Sequence, residues 1–432
     1  FFMQRLVLGF ILSLLSFYAQ SAEDPWLHLE KASQAARKLS YKGIFLYQNH
    51  QDFRSIEITH LNNGAEEFAR IVTLDGKPRE ALSRGKNMVV FNPSKENVMI
   101  QESQNQSLFP AILPSDIESV KIFNPSYSHG DRTRTFLKVQ DGCDYPCSYC
   151  TIPLARGQSR SDSIEKILGL IEEIAANGVK EIVLTGVNIG DFGIQQGKRV
   201  ETFFDLVKAI EEKSSIERFR ISSIEPNLLT PEMISFLATS KRFVPHFHIP
   251  LQSGSNAVLR LMKRRYQREL YQDRVALIRS VMPNACIGVD VIVGHPGETP
   301  ELFLETYQFL NELEISYLHV FPYSERANTY AVDIKPKIDG MQKAERSKML
   351  HILSDKKRHA FYEGQLGKTG LVLFEESSEY GQMEGFSENY VRVSVPYDPL
   401  LINTIQPVRY KSLTESGEVK GEVMLVVRDR KS

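Results

Sequence analysis

A chain of 432 residues is too long for one average domain, so two or three are expected. At 42% hydrophobic and 24% charged, it has the composition of a globular protein able to bury a sizeable core. Its formal net charge of −1 excludes a global basic field, so any contact with RNA must come from local patches. All four cysteines lie at or after position 143, which is not a secreted disulfide framework. Three of them share one loop, pointing to a metal or cluster site in a reducing compartment. Cys286, in the apolar run "NACIGVDVIVG", reads as a buried core thiol.

The first stretch, "FFMQRLVLGFILSLLSFYAQSAED", has Arg5, an apolar run over 6–18, then Ala19, Ser21 and Ala22. That order of charge, apolar run and small residues is a secretory signal peptide over 1–22. The run is too short to span a bilayer as a helix, so no stable membrane span is expected. A buried N-terminal helix is the competing reading. Residues 24–118 read as a small domain rich in strands: "YKGIFLYQN" (41–49), "FRSIEITHL" (53–61), "EEFARIVTL" (66–74) and "KNMVVFNPSKENVMIQ" (86–101). Asn63-Gly64 and Asp75-Gly76 are turn signals between them. A helix over 26–39 is expected to cover one face of the sheet. His60 and Asp75 read as structural or surface residues.

From about 125 the pattern changes to alternating strands and helices. "TFLKVQD" (135–141) leads to a helix over 163–177, where Ile164, Ile167, Leu168, Ile171 and Ile174 recur at helical spacing. "KEIVLTG" (180–186) leads to a helix near 202–213, "RFRISSIEP" (218–226) to one over 231–240, and "HFHIPLQSG" (246–254) to helices over 256–282. "CIGVDVIVG" (286–294) leads to a helix over 300–312, and "YLHVFPYS" (317–324) closes the series. Six β/α units in succession predict an α/β fold, an open (β/α)6 partial TIM barrel over 125–363 that ends in a charged helix at 340–363. Chemistry in such barrels sits at the carboxyl ends of the strands. The cysteine loop, Thr185-Gly186, Glu225, Gln252–Gly254 and Gly294–Glu298 all fall there. The last stretch, 366–430, reads as short strands forming a small β-barrel.

The cysteine loop, "DGCDYPCSYC", has the spacing C-x3-C-x2-C at Cys143, Cys147 and Cys150, with Tyr149 just before the last. A structural zinc closes its coordination with four protein ligands, and an iron–sulfur cube is commonly held by four thiolates. Three thiolates hold three irons of a [4Fe–4S] cube and leave one iron open. S-adenosylmethionine offers the matching chelate, an amino group and a carboxylate. Electron transfer from the cluster would then cleave a C–S bond and release a deoxyadenosyl radical. Zinc binding or incidental clustering is the alternative. His246 and His248 share one strand face and read as packed or hydrogen-bonded rather than as metal ligands.

Two resemblances account for the two patterns. "YKGIFLYQN", "RSIEITHL", "VTLDGKPRE" and "LFPAILPSDI" resemble the amino-terminal half of the RseB/MucB family of periplasmic sigma-factor regulators, implying an antiparallel β half-barrel that senses lipid or misfolded outer-membrane protein. From about 123, "KVQDGCDYPCSYCTIPLARGQSRS", "LTGVNIGDFG", "ISSIEP", "HIPLQSGS", "MKRRY", "VDVIVGHPGET" and "FPYSERANT" resemble the radical S-adenosylmethionine superfamily. Within it they resemble the methylthiotransferases, in the MtaB branch acting on threonylcarbamoyl-adenosine in tRNA.

This second resemblance implies one [4Fe–4S] cluster on Cys143, Cys147 and Cys150, and S-adenosylmethionine near Tyr149, Thr185, Gly186, Glu225, Gln252, Ser253, Ile292 and Gly294. A small residue at Gly186 would let backbone carbonyls approach the methionine amino group. It further implies tRNA as substrate, an electron donor such as flavodoxin or ferredoxin, and a sulfur source. Lys263, Arg264, Arg265 and Arg268 are the candidate RNA contacts, with Arg156, Arg160 and Arg132–Arg134 as an extension of that patch. The terminal barrel resembles the TRAM module, an RNA-contacting fold. No residue is singled out as catalytic. His295 stands where the family more often has an aromatic.

Methylthiotransferases carry a further domain with three more cysteines for a second cluster, whereas residues 1–142 contain none. Impaired sulfur insertion is therefore expected. The compartments also conflict: a signal peptide sends the chain to the periplasm, and a cluster enzyme acting on tRNA belongs in the cytoplasm. Each resemblance breaks off near 118–124, as expected of two unrelated coding pieces joined there. The second functional reading is an exported sensor-like binding protein that regulates an envelope-stress sigma factor.

Overall fold

The computed structural model describes the six strands between residues 41 and 102, residues 123 and 125–128, and residues 133–424 except 380 and 416. The chain divides into two units, Phe1–Ile117 and Glu118–Ser432. The expected signal peptide and the helix over 26–39 lie outside the described residues, as do Asp75 and Arg132.

In the first unit, β1 (Tyr41–Asn49), β2 (Asp52–Asn62), β3 (Glu67–Thr73), β4 (Glu80–Arg84), β5 (Asn87–Asn92) and β6 (Asn97–Glu102) form an antiparallel sheet in chain order. The pairs Asn63-Gly64 and Asp75-Gly76 fall between β2 and β3 and between β3 and β4. The single run expected over 86–101 is two strands, with Asn92 paired to Asn97 across the segment that contains Pro93. A proline nitrogen has no hydrogen to give a ladder, so the run breaks there. The short β4 carries Glu80, Ser83 and Arg84 in five residues and has too little apolar pattern to read as a strand. His60, on β2, is buried.

In the second unit, β7 (Ser126–Tyr127) runs antiparallel to β8 (Arg134–Lys138), and β9 (Gln140–Asp141) follows. After the cysteine loop come α1 (Ile152–Arg156), β10 (Arg160–Ser161), α2 (Ile164–Ala176), β11 (Glu181–Thr185), the small hairpin of β12 (Ile194–Gln195) and β13 (Lys198–Arg199), and α3 (Phe203–Lys213). The series continues with β14 (Arg218–Ile221), α4 (Pro231–Leu237), β15 (His246–Gln252), α5 (Asn256–Leu261) and α6 (Arg268–Val281). It ends with β16 (Cys286–Val293), α7 (Pro300–Glu312), β17 (Tyr317–Pro322) and the long α8 (Gly340–Glu363).

β8, β11 and β14 are parallel neighbours, as are β15, β16 and β17. Parallel bridges Phe219↔Phe243 and Ser223↔His248 join the two groups, so the six strands make one curved parallel sheet, with β7 added antiparallel beyond β8 at one edge and β17 at the other. This is the open (β/α)6 barrel read from the sequence.

The two sheet faces differ in chemistry. Leu137, Ile182, Leu184, Phe219, Ile221, Ile249, Val289 and Val291 join the helix residues Ile167, Ile171, Phe203, Ile234, Tyr271 and Phe309 in one core. The alternate residues include Arg134, Glu181, Arg220, His246, His248, Asp290 and His319, a polar lining that period 2 separates cleanly from the core. Helix starts follow from capping: Ser163, Thr230 and Thr299 accept from the third residue onward, and Thr202 with Asp205 forms a capping box.

β18 (Thr369–Glu379), β19 (Gln382–Ser387), β20 (Arg392–Pro396), β21 (Ile405–Leu413) and β22 (Val419–Val423) close into a barrel in the order β18-β19-β20-β22-β21. Its core is Val372, Phe374, Met383, Val393, Val395, Val408, Tyr410 and Val419. The barrel covers residues at the amino ends of the parallel strands. Arg218 donates to the Leu371 carbonyl at 2.6 Å, Arg134 pairs with Glu375 at 2.8 Å, and the Tyr390 ring stacks on His246 at 4.3 Å. Beneath it, fully buried Glu181 takes two bonds from Arg220, at 3.2 and 3.1 Å. With that end covered, the carboxyl ends remain for chemistry.

Candidate active site

The cysteine loop leaves β9 through Gly142, held at φ +70. A Cβ there would sit 2.0 Å from the Gln158 carbonyl oxygen, so only glycine fits. Gln140, fully buried, fastens the loop on both sides. Its Nε2 donates to the Gly142 carbonyl at 2.7 Å and Ser159 Oγ at 2.9 Å, and its Oε1 accepts from Val187 and Asn188 N–H at 2.9 and 2.8 Å. Asp141 binds Arg156 and Arg160 at 3.1 and 3.3 Å. Arg160, with 11% of its side chain exposed, is thereby committed to the loop, while Arg156 stays half-exposed. Arg134 is likewise spent on Glu375.

Each sulfur receives a different donor. Tyr145 N–H reaches Cys143 Sγ at 3.4 Å, Ile152 N–H reaches Cys150 Sγ at 3.4 Å, and Arg264 Nη1 reaches Cys147 Sγ at 3.1 Å. Burial pushes the Cys143 thiol up to about 12; the Tyr145 N–H opposes this, while Cys147 and Cys150 add to it. Arg264 also binds Glu225 and donates from Nη1 to Tyr149 Oη at 3.4 Å and from Nε to Tyr266 Oη at 3.1 Å. Only 3% of its side chain is exposed. Burial pushes the Glu225 carboxyl up although Arg264 pulls it down.

These positions correct several expectations. Arg264 faces inward and is not an RNA contact. Its neighbours diverge: Lys263, at φ +55, lies over the Tyr330 ring, and Arg265 lies over Tyr145 at 3.9 Å. Arg268 is paired with Glu305 at 2.6 Å. Ser253 is fully buried, with Oγ bonded to Thr306 Oγ1 at 3.0 Å, so it braces the turn after β15 instead of reaching a cofactor. Gly186 is small because Gln140 needs the space: a Cβ would meet Gln140 Oε1 at 2.9 Å. The Thr185 carbonyl is taken by Val139 N–H at 2.9 Å.

The remaining positions lie at strand ends. Gln252 sits at φ +68, where the pairing of β15 and β16 shifts register. Ile292 is half-buried on β16, and Gly294 turns at φ +73 immediately after it. Sequence reasoning missed Gln140 and the inward Arg264, although both stand inside the motifs "KVQDGC" and "MKRRY".

Comparison with known proteins agrees with this geometry. The family model for the radical SAM superfamily matches residues 137–310, and that for the MucB/RseB N-terminal domain matches residues 24–131. Threonylcarbamoyladenosine tRNA methylthiotransferase MtaB of Aquifex aeolicus is 42% identical over 260 residues, 60% of this chain and 62% of the relative. The MtaB of Bacillus subtilis is 40% identical over 268 residues, 61% of this chain and 59% of the relative. The MtaB of Chlamydia pneumoniae is 35% identical over 300 residues, covering 69% of this chain and 70% of the relative. The chain belongs to the radical SAM tRNA methylthiotransferase family. It spans about three fifths of the length of the first two relatives.

The three thiols of this methylthiotransferase chain sit on one short loop, close enough for Cys147 and Cys150 to oppose deprotonation of Cys143. A closed structural zinc site takes four protein ligands, and a cationic inorganic core offsets the cost of deprotonating a buried thiol such as Cys143. Cys286 lies on β16, buried, with its thiol pushed up to about 12 by burial, and adds no fourth sulfur to the loop.

Proposed function

We propose that the second unit is a radical S-adenosylmethionine methylthiotransferase core that acts on threonylcarbamoyl-adenosine beside the anticodon of tRNA. The observation that carries this reading is the three-thiol loop at the carboxyl ends of an open parallel barrel, with a separate donor aimed at each sulfur. Cys143, Cys147 and Cys150 would hold one [4Fe–4S] cluster, with one iron left for the cofactor's amino and carboxylate groups. When bound, the cluster supplies the electron that cleaves the cofactor's C–S bond.

The chain's own residues then have definable tasks. Arg264 donates toward the Cys147 sulfur and holds Glu225 in place. Thr185, Gly186, Glu225 and Gln252 would border the methionine and ribose, and Ile292 and Gly294 the adenine. Tyr149, half-buried and bonded to Arg264 Nη1 through its hydroxyl, flanks the sulfurs. Lys263 and Arg265, exposed near the cysteine loop, are the RNA contacts we retain, together with the terminal barrel read as a TRAM-like module. An electron donor such as flavodoxin or ferredoxin and a separate sulfur source complete the partners. The enzyme unit would work in the cytoplasm; among the described residues no helix is long and apolar enough to cross a membrane.

The domains we assign are a signal peptide at 1–22, an RseB/MucB-like half-barrel at 24–118, the radical SAM barrel at 125–363 and the TRAM-like barrel at 366–430. β7 pairs within the second unit although the MucB/RseB match runs to residue 131, so the join between two unrelated coding pieces belongs close to β7. Long single reads of the source nucleic acid across this region test the join; an uninterrupted native reading frame would count against an assembly error.

Anaerobic reconstitution of the full chain tests the enzymatic reading. About four irons per chain and cleavage of S-adenosylmethionine are expected. An iron-free chain, inert toward the cofactor, would instead favour the exported sensor, which the match over 24–131 supports but which leaves the thiol loop without a task. Methylthiolation of tRNA is expected to fail without a helper, because these 432 residues supply no second thiol triad. Sulfur insertion by the purified, reconstituted chain alone would refute that.

A further inference from the structure

The polar face of the barrel carries a second group of ligand-type side chains, apart from the cysteines. His248 lies on β15, Asp290 on β16 and His319 on β17, three adjacent parallel strands. Asp290 pairs directly with His319 in the sheet, while His248 pairs with Gly288, one step nearer the amino end on the same face. Gly288 gives its side-chain space to Tyr317: a Cβ there would sit 2.3 Å from the Tyr317 ring. His248 therefore reaches past Gly288 to Asp290.

The three side chains converge. Asp290 Oδ1 lies 2.7 Å from His248 Nε2 and 3.2 Å from His319 Nδ1, and the three candidate ligand atoms all fall within 4.8 Å of one another. Among the described residues no lysine or arginine lies within ion-pair range of Asp290. The carboxylate's charged-type partners among the described residues are the two imidazoles. Two imidazole nitrogens and one carboxylate oxygen form a donor set that suits a divalent cation. Access exists: His248 and Asp290 are each 18% exposed and His319 is 48% exposed.

We propose that His248, Asp290 and His319 form a divalent transition-metal site on the barrel wall, separate from the thiol triad. Two imidazoles exclude the oxygen-only preference of calcium and magnesium and select an ion of the zinc or ferrous class. Three protein ligands leave open positions toward the barrel interior, on the strand face that also carries Ile292 and Gly294. This departs from the sequence reading of His248 as a packed or hydrogen-bonded side chain. His246, on the same face, is not part of the site, since its Nε2 is held by Tyr317 Oη at 3.1 Å.

The proposal is tested without cluster, cofactor or tRNA, so its outcome is separate from that of the proposed reaction. The full chain with Cys143, Cys147 and Cys150 changed to serine is titrated with Co2+ and followed by visible absorption, with Zn2+ added as competitor. The expected result is about one Co2+ per chain, with the spectrum of nitrogen and oxygen ligands, displaced by zinc. Loss of a supporting residue outside a metal's ligand shell costs 10–100-fold in affinity as a rule, so H319A and D290N should each weaken binding by about 100-fold or more. His319 is half-exposed on an edge strand, so H319A leaves the core intact; far-UV circular dichroism verifies this. Failure to bind Co2+, or binding that H319A and D290N leave unchanged, overturns the site.

Discussion

Gln140 and Asn188 are tied by a 2.8 Å hydrogen bond from the Asn188 N–H to the Gln140 side-chain carbonyl. The same amide group donates to the Gly142 carbonyl on the other side, so one buried side chain sets the distance between the cysteine loop and the end of β11. Q140A strands the Val187 and Asn188 N–H groups and the Gly142 carbonyl. Leaving a buried polar group unpaired costs about 1–3 kcal/mol. Q140E keeps the acceptor but turns a buried carboxylate oxygen toward the Asp141 and Gly142 carbonyls. Both variants should therefore lower the denaturation midpoint and the iron retained after reconstitution. Iron retention equal to wild type in Q140A would show that the loop holds its shape without this brace.

Arg264 and Glu225 form the second relationship that a mutation can read. R264A leaves Glu225 with no cationic partner in a buried site, a change that costs about 3–5 kcal/mol. R264M combined with E225Q removes both charges and should recover much of that loss. R264M alone separates cofactor chemistry from RNA binding. K263A and R265A should each reduce the slope of log affinity for tRNA against log salt by about 1. R264M should leave this slope unchanged while weakening S-adenosylmethionine binding. A slope reduced by R264M as much as by R265A would place Arg264 on the RNA side.

Much of this architecture is legible in the sequence, for physical reasons. The helices announce themselves through capping residues such as Thr202 with Asp205 and through stripes such as Ile167, Ile171 and Ile174. The thiol triad is local, within eight residues, so its spacing alone reveals it. Arg264 is not legible in this way. "KRRY" shows three adjacent charges, but the left-handed turn at Lys263 sends them to Tyr330, to Glu225 and to Tyr145. Its buried partner lies 39 residues earlier in the chain, and charge patterning carries no direction. The His248–Asp290–His319 convergence needs the register of three strands, which sequence periodicity does not supply. The pairing of Arg134 with Glu375 spans 241 positions and is equally invisible.

The seam between the two barrels gives a third prediction. Glu181 is fully buried and receives both Arg220 bonds, with Arg134 and Arg218 nitrogens each at 4.0 Å. Three guanidinium groups therefore lean on one carboxylate. Removing its charge in E181Q leaves them facing each other beneath the carbonyls of Leu371 and Ser387. Amide hydrogen exchange in β18 and β19 should accelerate in E181Q, while exchange in the antiparallel sheet of the first unit stays as in wild type. E181A should cost about 3–5 kcal/mol in the second unit. Unchanged protection in β18 and β19 would show that the small barrel is held by its apolar contacts alone.

His295 makes stability depend on pH. It is fully buried, with Nδ1 donating to the Pro296 carbonyl at 2.8 Å, which leaves Nε2 to accept from the Ser148 hydroxyl at 3.2 Å. Protonation at Nε2 would break that bond inside a pocket edged by Tyr149 and Tyr323. Burial brings its pKa down from 6.5 to about 4, against the Pro296 carbonyl. Between those values the unfolded chain carries a proton on this residue that the folded chain does not. Stability from His295 is thus complete above pH 6.5 and is lost as pH falls toward 4, with an upper limit of about 3 kcal/mol at 1.36 kcal/mol per unit. H295F fills the same pocket with a ring that does not titrate. Denaturation of the cluster-free chain, followed by circular dichroism across this window, should show a flatter pH profile for H295F than for wild type. Parallel profiles for the two proteins would mean that His295 already carries its proton in the folded state.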